Sequence, residues 1–357
     1  MSISLHQITK RFAGVPAVSE LDAEIANGTF FVVLGPSGCG KSTLLRLIAG
    51  LEALDEGHIR LGNQDVAGRS LHLPPEERGV GVVFQSYALW PHMSVRRNVA
   101  FPLEARGSSR RAAEQAADGH LATVALTPYA DRRPADLSGG QRQRVALARC
   151  LASEARVVLM DEPLANLDPH LRHTMEGELA AFHRTSGATT LYITHDQREA
   201  MALADRIAVM RDGRFEQVAA PADIYARPAT AFVADFVGTG SIVTGTATGQ
   251  SNNGRIAVRI GPIDLPCEGS AEPGQTVQVL LRPEWITTAG DAQANGSVPA
   301  TGRVESATYR GGHWECRLRL EGLDEGLLVH ADDGMQSPRA GDSMPLRANR
   351  GWILPGG

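Results

Sequence analysis

A single nonapeptide constrains this chain more than any other feature. Gly35-Pro36-Ser37-Gly38-Cys39-Gly40-Lys41-Ser42-Thr43 follows the apolar run Phe30–Leu34 and opens a segment with helical spacing of leucines. It satisfies the pattern GxxxxGK[ST], with Gly35 and Gly40 as framing glycines. Glycine lets backbone N–H groups surround phosphate oxygens, and the start of the helix adds partial positive charge. Lys41 is then placed to reach β- and γ-phosphates, Ser42 to hold Mg²⁺, and Thr43 to extend the phosphate contacts. Cys39 reads as a small residue that fits the turn rather than as a reactive thiol.

The flanking sequence fits a sheet with helices packed on it. Near-continuous apolar runs at 30–34, 80–84, 157–160, 191–194 and 207–210 predict strands buried on both faces of a largely parallel sheet. Leu44, Leu45, Leu47, Ile48 and Leu51 carry the spacing of one core-facing helix side. A second helix is expected over 170–185, stopping at Gly187. After about residue 236 short alternating segments appear between turns rich in Gly, Pro, Asn and Asp, which predicts a small all-β barrel or sandwich. The expected organisation is an α/β domain over 1–236, then a β-barrel domain over 237–357.

Composition removes other classes. The 357 residues are 43% hydrophobic and 21% charged, with a formal net charge of −5, which argues against a phosphate backbone as main partner. No apolar run approaches the ~18 residues of a membrane helix, and the N-terminus lacks the pattern of a signal peptide. The four cysteines are widely spaced, with no CxxC or zinc pattern; a reducing compartment is expected rather than a disulfide framework.

The run at 157–160 ends in Asp161 and Glu162. Two carboxylates at the end of a buried strand need partners, because unpaired desolvated charge is costly. Beside the phosphate loop, Asp161 fits a Mg²⁺-associated carboxylate and Glu162 a base that polarises the water attacking a γ-phosphate. Between the two motifs lies Leu137-Ser138-Gly139-Gly140-Gln141. Ser138 and Gln141 have the spacing of a capping box, which exposes a helix N-terminus.

With this pentapeptide the chain resembles the ATPase subunits of ABC transporters, whose signature it is, and the resemblance covers about 235 residues. It implies a P-loop ABC-type nucleotide-binding fold with a helical subdomain over about 86–150. It also implies further roles. Gln85 matches the glutamine that senses Mg²⁺ and the attacking water, and His195 the switch histidine that contacts the γ-phosphate and orients Glu162. Asp168 matches an aspartate that crosses to a second copy. Ser138, Gly139, Gly140 and Gln141 would engage ATP held by that copy. Phe12 stands where the family often has a tyrosine stacked on adenine. The aromatic stretch Ser86-Tyr87-Ala88-Leu89-Trp90-Pro91-His92-Met93 is read either as local packing or as a groove for the coupling helix of a membrane permease. His170, His173 and Glu176 read as a solvated helix face rather than a metal site.

The tail, with Leu281-Arg282-Pro283-Glu284-Trp285-Ile286 and Gly351-Trp352-Ile353-Leu354, resembles the OB-like, TOBE-like barrel of importer ATPases. The implied function is ATP hydrolysis that powers solute import. The implied partners are a second copy, permease subunits and indirectly a solute-binding protein, at the cytoplasmic face of the inner membrane and with no nucleic acid. Ferric ion is the expected solute, with polyamine, phosphonate, sulfate or sugar as alternatives. A soluble ABC ATPase acting on nucleic acid or ribosomes is the competing class.

Overall fold

The computed structural model describes residues 1–165, 167–250, 255–288, 300–323, 325–332 and 337–356. Asn166, in the loop before Asp168, lies outside them. The chain divides into two compact units, Met1–Pro221 and Ala222–Gly357.

In chain order the first unit contains β1 (Ile3–Phe12), β2 (Val15–Ile25), β3 (Phe30–Leu34), α1 (Lys41–Ala49), β4 (Glu56–Leu61), β5 (Gln64–Gly68), β6 (Leu71–His72) and β7 (Val80–Val83). It continues with α2 (Val95–Ala105), α3 (Arg110–Thr123), α4 (Gly139–Ala152), β8 (Val157–Asp161), α5 (Pro169–Ser186), β9 (Thr189–Thr194), α6 (Gln197–Leu203), β10 (Arg206–Arg211) and β11 (Arg214–Ala219). The central sheet has the order β11-β10-β3-β9-β8-β7. Strands β10, β3, β9, β8 and β7 run parallel, and β11 pairs antiparallel at the edge. Every residue of β3 and β9 is buried, as expected for parallel strands covered on both faces.

Register decides where the chemistry emerges. Leu34 of β3 lies opposite Thr194 of β9, and Ile193 lies opposite Asp161 of β8. The three strands therefore end level. The residues that follow them (the Gly35–Thr43 loop, Glu162 and His195) share one sheet edge, the carboxyl edge at which parallel α/β sheets bind ligands.

A second sheet, β2-β1-β4-β5-β6, is antiparallel throughout. The sequence reading placed no sheet there. Register shifts at Leu5/Ile8, Ile8/Lys10 and Lys10/Arg11, and positive φ at Gln7, Ala13 and Glu20, break the alternation that would have revealed it. Both sheets and α1 share one core, including Ile3, Leu5, Phe31, Leu44, Leu45 and Leu191. Leu51, expected on the buried side of α1, is exposed. The helix ends at Ala49, and Gly50 takes the left-handed conformation (φ 81), so Leu51 leaves the helical register. The buried Arg78 donates to Leu47 O at 2.7 Å and Ile48 O at 3.0 Å, satisfying the last carbonyls of the loop-bearing helix.

Helices α2, α3 and α4 enclose their own core of Val95, Val99, Ala117, Leu121, Val145 and Ala148. Helix α5 runs two residues beyond the expected 170–185 span in all and stops as foreseen at Gly187 (φ 59).

The second unit begins within α7 (Pro221–Ala226), at its second residue, and continues with α8 (Ala231–Phe236), β12 (Ser241–Gln250), β13 (Ile256–Ile260), β14 (Ile263–Glu268), β15 (Thr276–Leu281) and β16 (Ile286–Thr288). It ends with β17 (Ala300–Tyr309), β18 (His313–Arg319), β19 (Leu327–Asp332), β20 (Ser343–Ala348) and β21 (Gly351–Ile353). Strands β12-β13-β14-β21-β15 close a barrel, and β16-β20-β17-β18-β19 form a five-stranded sheet. One apolar core joins them, through residues such as Val243, Leu265, Val279, Leu318 and Leu346.

The change of texture near residue 237 marks where strands begin, whereas the compact unit starts at Ala222. Arg282 supplies the reason. Its guanidinium is fully buried and donates to the carbonyls of Tyr225, Ala234, Val237 and Thr239 at 2.7–3.3 Å, tying α7 and α8 to the barrel.

Candidate nucleotide site

The phosphate loop has the shape its glycines permit. A Cβ on Gly40 (φ +109) would sit 2.1 Å from Ala17 O, and one on Gly35 would sit 2.3 Å from Met210 O. Only glycine fits at either place. Gly213 N donates to Cys39 O at 3.0 Å, pinning the loop from outside. Cys39 is buried, and burial raises its thiol above the ordinary value despite nearby Lys41. It fills space, as its small size suggests.

Lys41 Nζ donates to Gly35 O at 2.8 Å and Pro36 O at 2.9 Å. The ammonium is thus held over the concavity that the loop forms. Ser42 Oγ donates to Asp161 Oδ1 at 3.0 Å. Burial, the largest effect, raises the Asp161 pKa, and the Ser42 hydrogen bond opposes it. A hydroxyl and a partly desolvated carboxylate side by side are two hard oxygen donors. That set suits Mg²⁺, so Ser42 and Asp161 fit the ion assigned to them.

Glu162 follows with its Oε2 3.1 Å from His195 Nδ1. Its backbone N–H donates to Ile193 O at 3.0 Å, and its φ of 44° turns the side chain off the strand line. A left-handed non-glycine residue costs about 1–3 kcal/mol and tends to mark functional sites.

Ala17, Ser37, Gly38, Gly40, Lys41, Ser42, Thr43 and Glu162 line an open cleft of ≈ 240 Å³. Ala17, on β2, carried no sequence signal. A larger cleft of ≈ 1020 Å³, lined by residues including Asn27, Arg156 and Phe182, involves none of these groups. The chemistry assigns the smaller one, and a concavity below the ~300 Å³ of ordinary ligand sites suits half of a shared site.

The other expected residues stand apart from that cleft. Gln85 is exposed, two residues beyond β7. Phe12 ends β1, 47% exposed, with Lys10 Nζ 5.3 Å from its ring centroid. Ser138 caps α4: its Oγ accepts from Gln141 N at 3.3 Å while its own N–H donates to Gln141 Oε1 at 2.9 Å, the reciprocal box expected. Asp168 caps α5, accepting from Leu171 N at 3.0 Å. These two caps form one surface. A Cβ on Gly139 would lie 3.2 Å from Leu167 Cδ2, and one on Gly140 would lie 3.0 Å from Leu171 Cδ1. Among the described residues no three His, Cys, Asp or Glu form a metal cluster; His173 pairs with Glu176 at 3.4 Å.

The aromatic loop after Gln85 is packed locally. Trp90 meets Phe101 at 4.3 Å and Arg149 at 5.0 Å. Asn98, fully buried, bonds Trp90 N at 2.8 Å and Trp90 O at 3.2 Å. Arg149 donates to Tyr87 O at 2.9 Å and Ala88 O at 2.7 Å, holding two consecutive left-handed residues (φ 63 and 43). Phe101 is 38% exposed. Sequence reasoning named Trp90 but neither Asn98, on the helix that follows, nor Arg149, which lies on a helix distant in sequence.

Comparison with known proteins agrees with this geometry. Residues 18–165 match the ABC transporter family profile, and residues 279–354 match the TOBE domain profile. The spermidine/putrescine import ATP-binding protein PotA of Pseudomonas fluorescens (strain Pf0-1) is 41% identical over 95% of this chain and 94% of its own length. PotA of Pseudomonas aeruginosa (strain UCBPP-PA14) is 44% identical over 93% and 92%, and PotA of Escherichia coli (strain K12) 42% over 89% and 84%. A solved dimeric structure of the ATP-binding cassette MJ0796 bound to ADP and Pi matches 61% of this chain and 98% of its own, with 31% identity and a TM-score of 0.54. With its phosphate loop, signature cap and terminal barrel accounted for, the chain belongs to the ATP-hydrolysing, ATP-binding subunits of ABC importers that carry a TOBE domain.

Proposed function

We propose that this protein drives polyamine uptake through a membrane permease, as a pair of copies holding two ATP molecules between them. The observation that carries the solute is the set of relatives named for spermidine and putrescine import, matched along nearly their whole length. The expected ferric ion finds no support among those relatives, whereas the polyamine alternative does. No helix among the described residues is long and apolar enough to cross a membrane. We place the protein on the cytoplasmic face of the inner membrane, held there by permease subunits that receive solute from a binding protein.

Each site draws Lys41, Ser42, Gln85, Asp161, Glu162 and His195 from one copy and Ser138, Gly140 and Asp168 from the other. The support is the division seen in the single chain: Lys41, Ser42, Asp161, Glu162 and His195 cluster at one sheet edge, while the signature and Asp168 caps lie elsewhere. Phe12 offers its open face to adenine. The loop N–H groups and Lys41 hold the phosphates, with Lys41 exchanging Gly35 O and Pro36 O for phosphate oxygens. Ser42, Asp161 and Gln85 would hold Mg²⁺, which would supply positive charge against the phosphates. Glu162 takes a proton from the attacking water, and His195 fixes the Glu162 carboxylate and faces the γ-phosphate. Closure on ATP turns the permease outward, and hydrolysis resets it.

Affinity purification of the tagged protein from gently solubilised native membranes, with mass spectrometry of what accompanies it, tests the partners. The expected result is a permease pair together with a polyamine-binding protein. Ribosomal or other soluble partners alone would leave the ATPase standing and overturn the assembly proposed here.

A further inference from the structure

Behind His195 lies a charged network that the hydrolytic reading does not use. Arg172, in the first turn of α5, directs its guanidinium three ways. Nη2 donates to Leu167 O at 3.3 Å, one residue before Asp168. Nη1 donates to Asp196 Oδ2 at 3.1 Å, one residue after His195. Nε lies 3.8 Å from Glu199 Oε1.

The far side of the network is buried and hydrogen-bonded. Glu199 is buried, and its Oε2 accepts from Tyr192 OH at 2.7 Å and Thr194 Oγ1 at 2.6 Å. Thr194 Oγ1 accepts in turn from Asp196 N at 2.9 Å. Thr194 is therefore tied to Glu199, which Arg172 Nε approaches to 3.8 Å, and Asp196 is bonded both to Thr194 and to Arg172 itself. The near side reaches the signature, since Leu167 and Leu171 press against Gly139 and Gly140.

We infer that Arg172 is a positioning residue that ties the placement of His195 to that of the Leu167–Asp168 segment. Arrival of a second copy on the surface formed by the signature and Asp168 is thereby registered at the histidine that holds Glu162. A guanidinium suits the task because its donors leave in fixed, divergent directions, which an ammonium cannot reproduce. The inference rests on the roles proposed above for His195 and Asp168. Its chemistry concerns position alone, so ATP binding in an isolated half-site owes it nothing.

The test is steady-state ATP hydrolysis by the purified full-length protein, together with MgADP affinity. Arg172→Ala should lower kcat roughly tenfold or more, as small misplacements of catalytic groups do. KM and MgADP affinity should stay within about twofold of wild type, and the Hill coefficient for ATP should fall towards one. Arg172→Lys should recover part of kcat. Asp196→Asn, which keeps volume and loses the ion pair, should reproduce the defect if Arg172→Ala folds poorly. The deciding comparison is with His195→Ala. If Arg172 acts through His195, the double variant is no slower than His195→Ala alone. A further tenfold loss in the double variant, or wild-type kcat and cooperativity in both Arg172→Ala and Asp196→Asn, overturns the inference while the site reading stands. Wild-type hydrolysis by His195→Ala overturns both.

Discussion

His195 Nδ1 stands 3.1 Å from Glu162 Oε2, one residue beyond the strand end that β9 shares with β8. This pair marks the point where parallel-sheet register becomes chemistry. Glu162→Gln keeps the shape and removes the carboxylate proposed as the base. It should lower kcat by about 10²–10⁴-fold, the usual worth of a positioned base, while ATP binding persists. The expected species is an ATP-bound dimer that survives size-exclusion chromatography with light scattering. Wild-type turnover by this variant would refute the assignment of Glu162.

Gly40→Ala should weaken nucleotide binding strongly. Its Cβ would meet Ala17 O at 2.1 Å, and φ of +109° is closed to alanine. The loop must move, and with it the N–H groups that hold phosphate. Equilibrium binding of a fluorescent ATP analogue checks this, with a loss of at least about tenfold expected. Gly38, where a Cβ would meet nothing within 4 Å but φ is +82°, should tolerate alanine better.

Arg282→Met should destabilise the β-rich unit by roughly 3–5 kcal/mol, because several buried carbonyls lose their donor. Arg282→Lys should rescue it poorly, since one ammonium cannot span carbonyls from Tyr225 to Thr239. Denaturant unfolding followed by tryptophan fluorescence is informative, as Trp285 is buried in this unit. ATP binding should survive in the same samples.

The thiols predict a pH dependence. All four cysteines are buried and unpaired, and burial pushes Cys150 up to about 11 and Cys267 up to about 12. From about pH 9 upward the unfolded chain releases thiol protons that the folded chain retains, so rising pH favours unfolding. This contribution to stability is complete below the unfolded thiol pKa and is lost as pH climbs towards 11. The expected outcome is a melting temperature that falls over that range, less steeply in a Cys150→Ala/Cys267→Ala variant. Equal slopes in both proteins would contradict it.

The site was legible where one residue type in one order is demanded. Gly35, Gly40, Lys41 and Ser42 can serve no other backbone and charge arrangement so well, and the Ser138–Gln141 box appears as its spacing requires. The parallel sheet was legible because β3 and most of β8 are apolar on both faces, with Leu191 and Ile193 continuing the pattern in β9. The antiparallel sheet was hidden by its bulges, and the end of α1 at Gly50 was hidden by a leucine that continues the spacing beyond it. What a linear reading misses most is the long-range tie. Arg149 holding Tyr87, Arg172 joining Leu167 to Asp196, and Arg282 gathering the first helices of its unit all join segments by arginine donors to distant carbonyls or carboxylates. Nothing in local pattern separates such an arginine from a solvated one.

Uptake of radiolabelled spermidine and putrescine tests directly whether this ATPase drives polyamine import. It is measured in cells lacking this gene and in the same cells complemented with wild-type, Lys41→Ala or Glu162→Gln protein. Uptake should be lost on deletion, return with the wild-type protein and stay absent with either variant, while ferric ion and sulfate uptake are unchanged throughout. Undiminished polyamine uptake in the deletion strain, with uptake of ferric ion or sulfate lost instead, would contradict it.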